Sequence, residues 1–434
     1  MHRRIDHGGP APAHPHRPRS RLAWTLMPAL GLTASAAFAQ SVVPLTLAAA
    51  ERIALERSPQ VMAQRSRADA AREMSGPAAA LPDPKLIAGF ENVPTDGPDR
   101  WRLDGDPMTM TRIGVMQEFP GGDKRRLRAE RASRDAQRGD AAAGVAALAV
   151  RREVATAWLA RWYADRQAQA IAAQIDEARL EADATAAAYR AGRAAQGEVL
   201  AAQALIVELA NRATDSALAS ERARLALARY LGADADRPLA APPDVLALPD
   251  TLGRLTDVER QPELRLAEAE IAVLAAEADL AGAARSPDWS AELTYGIRKP
   301  EYGNMISLMV RVDLPWSPGT RQDREQAAKL RERDAARAQR EDLRLARDTE
   351  VRQTLAEWEA TRAQALRVRD DLVPLAERRV EAALAAYRGG AGALAPVLEA
   401  RRAVLDARLA ALNFEQFAAR AWAWLATLST GENS

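Results

Sequence analysis

The stretch "WSAELTYGIRKPEYGNMISLMVRVDL" at residues 289–314 decides the fold, because apolar and polar side chains alternate strictly along its two arms. A two-residue period is that of a β-strand, and the central "KPEYGN" carries the Pro, Gly and Asn typical of a turn. The apolar positions share one face: Trp289, Ala291, Leu293, Tyr295 and Ile297 in the first arm, and Ile306, Leu308, Val310, Val312 and Leu314 in the second. The segment therefore predicts a β-hairpin with one apolar and one polar face.

A second, less regular pair of alternating segments lies near the start of the chain. "KLIAGFEN" at 85–92 and "MTRIGVMQEF" at 110–119 flank a loop rich in Pro, Asp and Gly. All four strands are close to the length of about 9–11 residues that a tilted strand needs to cross a bilayer. Alternation of this kind is typical of a membrane β-barrel with a wet lumen. Two amphipathic hairpins packed on a soluble helical body are the alternative.

Four strands are too few to close a barrel. An open strand edge in lipid would leave backbone N–H and C=O groups without partners. If the strands cross a membrane, closure therefore requires several copies of the chain.

The chain is built from two similar halves. "YRAGRAAQGEVLAAQ" at 189–203 matches "YRGGAGALAPVLEAR" at 387–401 without gaps. Such self-similarity predicts an internal duplication, with a first repeat at 40–233, a Pro-rich linker at 234–256 and a second repeat at 257–434. Each repeat is predicted to run as helix, β-hairpin, long helix, tip and helix. The hairpins are predicted at about 85–119 and 289–314, and the tips at about 189–199 and 387–397.

The helices are predicted to be unusually long. No Pro occurs from Lys124 to Tyr189, and Pro374 alone interrupts the stretch from Arg321 to Tyr387. A helix of about 65 residues extends roughly 100 Å. Apolar residues recur at coiled-coil spacing, so these helices must bury their stripe against one another. A periplasmic coiled-coil scaffold would explain the helices, but it would not explain the hairpins.

The composition argues against several classes of function. Lys and Arg number 60 against 59 Asp and Glu, so no basic excess indicates a nucleic-acid partner. The chain has no Cys, and its four His all lie in the first 16 residues. Neither a G-x-S-x-G motif nor a P-loop is present. We therefore predict a protein that is not an enzyme, with no cofactor and no resident metal site.

The first residues resemble a targeting segment. A basic region is followed by "LAWTLMPALGLTASAAFA" at 22–39, which is apolar and ends in the small-residue pattern Ala37-Phe38-Ala39. These are the features of a cleaved secretory signal peptide. We predict a signal peptide at 1–39, with an uncleaved anchor or a disordered tail as the alternative.

In this order, and twice in one chain, the motifs resemble the TolC-like outer-membrane efflux proteins. The resemblance covers roughly 42–431. "LPDPKL" with "GFENVP" (81–94), "MTRIGVMQEFPGGDKRRLR" (110–128) and "SPQV" (58–61) look most like the cobalt–zinc–cadmium branch of that family. Members of that branch often begin with a lipid-bearing Cys, which this chain lacks.

The resemblance implies a mainly α fold with a membrane β-barrel part. Three chains would form a homotrimer whose 12-stranded barrel lies in outer-membrane lipid and continues as a long periplasmic α-helical barrel. The implied function is a passive exit duct of a tripartite efflux system, completed by a periplasmic adaptor and an inner-membrane proton-driven pump. Heavy-metal cations are the implied cargo, with multidrug efflux and type I protein secretion as alternatives.

The resemblance also implies roles for particular residues. Adaptor-docking tips are expected at Tyr189, Gly192, Val199 and Leu200, and at Tyr387, Gly390, Val397 and Leu398. The gate candidates are Glu198 and Glu399, whose mutual repulsion a cation or Arg193 or Arg401 could relieve. Strand–helix junctions are expected at Pro84, Pro120, Pro287 and Pro315, because Pro can extend neither a ladder nor a helix interior.

Strand parity places four methionines toward the lumen: Met110, Met116, Met305 and Met309. Thioethers favour Cu(I) or Ag(I), so this placement favours a copper-type cargo over zinc, cobalt or cadmium. Adaptable packing is the more common role of Met and stays the alternative.

Overall fold

The computed structural model describes residues 43–248 and 257–429. The predicted signal peptide lies outside the described residues, as does the end of the predicted linker. Within the described residues the chain is mainly helical and contains one four-stranded sheet, which confirms the predicted fold class.

Both hairpins contribute to one antiparallel sheet in the order β1-β2-β3-β4. The strands are β1 (Lys85–Glu91), β2 (Met110–Phe119), β3 (Asp288–Ile297) and β4 (Met305–Asp313). Straight across the sheet, Lys85 is level with Met116, Glu292 and Met309. The β2–β3 pair joins the two halves of the chain, so the sheet holds the repeats together.

Long helices continue the strands. The helices are α1 (Leu47–Arg57), α2 (Pro59–Glu73), α3 (Ser75–Ala79), α4 (Lys124–Arg190), α5 (Gln196–Leu231), α6 (Pro262–Ala283), α7 (Gln322–Arg367), α8 (Val373–Arg388) and α9 (Leu394–Ser429). Below the sheet α2, α4, α6 and α7 pack side by side in the same order as the strands. The chain therefore forms a wall one element thick. In the part of the chain that the structure describes, no helix combines the length and apolarity needed to cross a membrane.

The two faces of the sheet differ as the alternation predicts. Ile306 and Leu308 are 74% and 73% exposed on the apolar face. At the helix end of this face, the rings of Phe119 and Trp289 stack with centroids 4.1 Å apart. An apolar band bounded by aromatic rings is the lipid-facing surface of membrane barrels. Trp316, just beyond β4, is 89% exposed and extends the aromatic row.

The most deeply buried residues form a waist where α1, α4, α5 and α9 meet. Trp158 is fully buried there and donates from Nε1 to the carbonyl of Leu45 at 3.2 Å. Trp358, 200 residues later, donates in the same way to the carbonyl of Val245 at 2.9 Å. The repeated contact is a structural mark of the duplication.

The segment predicted as a linker is packed on the helices where it is described. Leu239 forms a parallel bridge with Leu45, and the carbonyls of Leu246 and Ala247 accept from Arg362 and Trp422. These contacts satisfy backbone groups that a Pro-rich segment cannot pair within itself.

The two long helical stretches differ in regularity. The first, α4, has 67 residues without interruption. The second contains a π-helical turn at Val368–Leu372, between α7 and α8. Pro374 is the second residue after this turn, and because Pro lacks an N–H the turn lies where the regular ladder is broken.

Close helix approach depends on small residues. A Cβ added at Gly139 would lie 2.8 Å from the Cα of Ala68, so α2 and α4 touch backbone to backbone there. Many buried positions on α4 are Ala, including Ala136, Ala146, Ala155 and Ala178.

Candidate functional site: channel wall and helical tips

The polar face of the sheet is crossed by a row of ion pairs centred on Glu292. Its side chain is 4% exposed and lies between two arginines, with Arg112 on one side and Arg311 at 2.8 Å on the other. Arg112 also reaches Glu91 at 3.2 Å. The carboxylate needs these partners, because an unpaired charge at this burial is strongly unfavourable. Sequence analysis placed charges on this face but did not find the cluster, because register decides which charges meet.

All four predicted lumen methionines lie on this polar face. Met116 and Met309 flank Glu292 in one row, and Met305 is opposite Gly296. Arg311 donates from Nη1 to the Sδ of Met116 at 3.5 Å, and Met110 packs over Gly296. The nearby guanidinium groups oppose cation binding by these thioethers. Within the described residues, no group of three or more His, Cys, Asp or Glu side chains could hold a metal ion.

The four prolines lie where strands meet helices. Pro84 and Pro287 directly precede β1 and β3, Pro120 directly follows β2, and Pro315 is the second residue after β4. Beside them, Lys124 donates to the carbonyl of Ser286 at 2.7 Å and to Asp288 at 2.8 Å. The N–H of Gly121 donates to the same Asp288 carboxylate at 2.6 Å. These bonds tie the start of α4 to β3.

At the far end, each long helix turns back through the same backbone motif. Gly192 and Gly390 have φ of 72° and 74°. The N–H groups of Arg193 and Ala391, one residue later, each reach back to a carbonyl five residues earlier, at 2.9 and 3.0 Å. This is the Schellman ending, in which glycine is favoured because φ is positive. The docking role of the two glycines stays a prediction.

The two tips differ in exposure despite their similar sequences. Val397 and Leu398 are 0% and 5% exposed, and they pack on Leu205 and Leu209 of α5. Tyr387 packs against the same cluster. In the first tip, by contrast, Tyr189 and Leu200 are largely exposed and Val199 is half-buried. Val397 and Leu398 therefore hold the helices together, and the exposed apolar tip surface belongs to the first repeat.

The gate candidates have partners that the sequence did not predict. Glu399 pairs with Arg379 at 2.9 Å, while Arg401 turns to α4, where it lies 2.6 Å from Glu177 and 2.9 Å from Glu181. The structure thus separates Arg401 from Glu399. Glu198 approaches the backbone N–H of Leu394 at 3.5 Å, and Arg193 is exposed in the turn.

Glu181 is the most buried carboxylate of this cluster. Burial raises the pKa of its carboxyl above the ordinary value, and attraction to Arg401 only partly opposes that rise. The Arg401 side chain is itself 19% exposed. The cluster therefore joins α4 to α9 through the largely buried pair of Arg401 and Glu181, with the half-exposed Glu177 beside it.

A sheet with one apolar and one charged face, continued strand by strand into long helices with paired tips, defines a class of channel proteins. The chain belongs to the outer membrane efflux protein family, whose profile matches residues 52–233 and 258–431. The two matched regions correspond to the two repeats. The family recognised from the sequence is therefore confirmed. No curated protein sequence gives a match.

Several solved structures share the fold. A membrane protein from Pseudomonas aeruginosa aligns with a TM-score of 0.74 and 18% identity over 88% of this chain and 89% of its own. The outer membrane protein VceC from Vibrio cholerae aligns with a TM-score of 0.69 and 19% identity, over 88% of this chain and 95% of its own. CusC, a transmembrane channel, aligns with a TM-score of 0.65 and 14% identity, over 89% of this chain and 92% of its own. At these identities the likeness shows the fold alone.

Members of the family are channels that act as homotrimers together with an adaptor and an inner-membrane pump. Three four-stranded sheets supply the 12 strands of one barrel.

Proposed function

We propose that the chain is the outer-membrane exit duct of a tripartite efflux system and conducts its cargo passively from the periplasm to the exterior. The observation that carries the proposal is the sheet, whose exposed apolar face suits lipid while its charged face suits a wet lumen. The helices would extend the duct across the periplasm. Catalytic chemistry is not part of the proposal.

Heavy-metal cations are the proposed cargo. The support is the resemblance of the segments at 81–94 and 110–128 to the cobalt–zinc–cadmium branch. The four polar-face methionines favour copper or silver instead, but the arginines among them argue against a binding site. A duct also gains little from tight sites, because a bound ion must leave. We therefore propose that the pump selects the metal.

Growth of a deletion strain on zinc, cobalt, cadmium, copper and an antibiotic panel tests the cargo. Complementation with the wild-type chain is expected to restore metal tolerance, and a variant with the four methionines changed to Leu is expected to restore it equally. Sensitivity of the deletion strain to drugs but to no metal would contradict the metal assignment. A copper defect confined to the methionine variant would show that the duct itself selects.

The tips are the proposed docking sites for the adaptor. Added side chains at Gly192 and Gly390 would meet no atom within 4 Å, so any cost of substitution comes from the backbone or from a partner. A β-branched residue at positive φ costs about 1–2 kcal/mol. We expect Gly192→Val and Gly390→Val each to abolish efflux while the trimer still forms and inserts.

Two controls separate the possible causes. Gly197→Val lies near the same tip but within α5 and has no atom near an added Cβ, so it is expected to be harmless. Asn tolerates positive φ, so Gly192→Asn keeps the turn but adds a side chain. Loss of efflux in Gly192→Asn would indicate close backbone approach by the adaptor. Full activity in both Val variants would argue against docking at the tips.

The cluster of Arg401, Glu177 and Glu181 is proposed to hold the tip closed, because it joins α4 to α9. Since burial raises the pKa of Glu181, the packed tip binds a proton there more tightly than an opened tip in which Glu181 meets water. The packed tip is therefore favoured as the pH falls through that raised pKa, and it loses this contribution at higher pH.

Single-channel recordings test the gate. Acidification is expected to lower the open probability of the wild type, and Glu181→Gln is expected to remove that dependence. Arg401→Gln is expected to raise open probability, because it leaves Glu181 buried without its cation. Arg379→Gln is the matched control, since its pair with Glu399 is exposed and contributes about 0–1 kcal/mol. Equal currents in the Arg401 and Arg379 variants would remove the cluster from the gate.

A further inference from the structure

The two outer edges of the sheet are unpaired within the described chain, since β1 and β4 have one neighbour each. In a trimer that closes head to tail, β4 of one protomer must pair with β1 of the next. That pairing completes the backbone hydrogen bonds that lipid cannot supply. Its register is determined by side chains on the two edges.

We propose that β4 pairs with the partner's β1 in the register that places Asp313 opposite Lys85 of the partner subunit. In this register all seven residues of β1 have partners within β4. The two side chains would form an ion pair between protomers on the polar face, one at each of the three junctions. The inference goes beyond the proposed function, because it concerns how the wall closes rather than what passes through it.

Strand parity limits the choice of register. Lys85 lies on the same face as Met116, Glu292 and Met309, which is the polar face. A register that keeps polar with polar must therefore place Lys85 opposite a polar-face position of β4 or the position two beyond its end. Lys85 is level with Met309, and we consider the registers that shift it toward the end of β4 while most of β1 stays paired. Three such registers place Lys85 opposite Arg311, Asp313 or Pro315.

Charge separates the three. Opposite Arg311, Lys85 would meet a like charge directly across the strands, which is destabilising. Opposite Pro315, it would lie beyond the end of β4, where no backbone N–H is available. Opposite Asp313 it meets a carboxylate. Of the three registers, only this one places an oppositely charged residue of β4 directly opposite Lys85.

Asp313 needs a cation that its own protomer does not provide. The residue opposite Asp313 on the neighbouring strand β3 is Asp288, so two carboxylates face each other there. Lys124 neutralises Asp288 at 2.8 Å, whereas Asp313 has no ion pair within the described residues. Lys85 pairs with Glu118, but an ammonium carries three donors and can serve a second carboxylate.

Barrel geometry supports the same choice. Lys85 is level with Met309, so pairing with Asp313 shifts the strands by four residues per chain, or about 12 residues around the trimer. With about 3.3 Å per residue and about 4.8 Å between strands, this stagger tilts 12 strands by about 35°. The Arg311 register gives about 20°, below the usual range of about 35–45°. The Pro315 register gives about 46° and leaves two residues of β1 without partners.

Cysteine cross-linking measures the register directly, because the chain has no Cys of its own. Gly89→Cys is combined in turn with Ser307→Cys, Met309→Cys and Arg311→Cys. An added Cβ at Gly89 meets no atom within 4 Å. The proposed register places Gly89 opposite Met309 of the partner subunit, while the other two positions are diagonal at about 7–8 Å, too far for a disulfide.

After mild oxidation of the membrane-inserted protein, the Met309 pair is expected to give a covalent trimer at least ~10-fold faster than the other two pairs. Faster cross-linking of the Ser307 or Arg311 pair would overturn the register. Absence of cross-linking in all three pairs, from proteins that still migrate as trimers, would overturn the β4–β1 contact.

A milder variant covers the case in which a cysteine pair fails to assemble. Asp313→Asn is expected to lower the temperature at which the trimer dissociates in detergent, because it removes three ion pairs between protomers. Glu301→Gln, in the turn of the same hairpin, is the matched control. Equal dissociation temperatures for the two variants would contradict the ion pair.

Discussion

Replacing Glu292 by Ala is expected to destabilise the sheet by about 1–3 kcal/mol, the cost of leaving a largely buried donor without its acceptor. Arg112 would keep only its pair with Glu91, while the side chain of Arg311 is half exposed and can be hydrated. Because Glu292 lies on β3 and Arg112 on β2, the loss falls on the strand pair that joins the two repeats. Heat dissociation of the trimer and denaturant unfolding in lipid measure the effect.

Glu118→Ala is the matched control for Glu292. It removes a carboxylate from the same polar face, but its ion pair with Lys85 is exposed and contributes about 0–1 kcal/mol. Apolar replacement of Glu292 and its two arginines, with Arg112→Met, Glu292→Leu and Arg311→Met, is expected to recover most of the stability. No buried charge is then left unpaired, and Glu91, which loses Arg112, is half exposed. Equal stability of the Glu292 and Glu118 variants would show that hydration of the two arginines replaces their contacts with Glu292.

Trp158→Ala is expected to cost about 3–5 kcal/mol, because it empties a fully buried site at the waist. Trp158→Phe is expected to cost much less. The carbonyl of Leu45 would lose the indole donor but keep its bond from the N–H of Ala240 at 3.1 Å. The thermal unfolding midpoint of the purified trimer measures the difference.

Trp358→Ala tests the duplicated contact in the second repeat. It is expected to release the segment that includes Val245, and protease sensitivity there is the readout. Trp316→Ala is the control, since that ring is exposed and outside the waist. A Trp158→Ala protein that unfolds at the same temperature as Trp316→Ala would contradict the assignment of the waist as the stabilising core.

The faces of the strands could be predicted from the sequence because period-two alternation needs no knowledge of the partner strand. The register could not, since β2 and β3 come from different repeats and nothing local to Arg112 or Glu292 specifies their meeting. The row of ion pairs was therefore missed, although its members were visible as polar-face charges.

The tips show a similar limit. Gly192 and Gly390 were predictable, because a helix that reverses direction needs positive φ at its end. The exposure of Leu200 and the burial of Leu398 were not, since the two sequences match and only the packing of α5 and α9 distinguishes them. Likewise, Arg401 was expected to offset the charge of Glu399, which is two residues away in the sequence. On a helix, residues two apart point in different directions, and the side chain of Arg401 contacts Glu177 on α4.

Because the wall is only one helix thick, the inner diameter of the channel depends on the volume of the side chains between neighbouring helices. In a closed ring of helices, circumference is the sum of the spacings between neighbours, and those spacings vary from about 8 to 10 Å with the residues at each contact. Gly139 against Ala68, and the run of buried Ala on α4, keep the spacings short. Adding about 1 Å at every contact of a 12-helix ring would widen its diameter by about 4 Å. The smallest residues at the helix contacts therefore set the inner diameter of the channel.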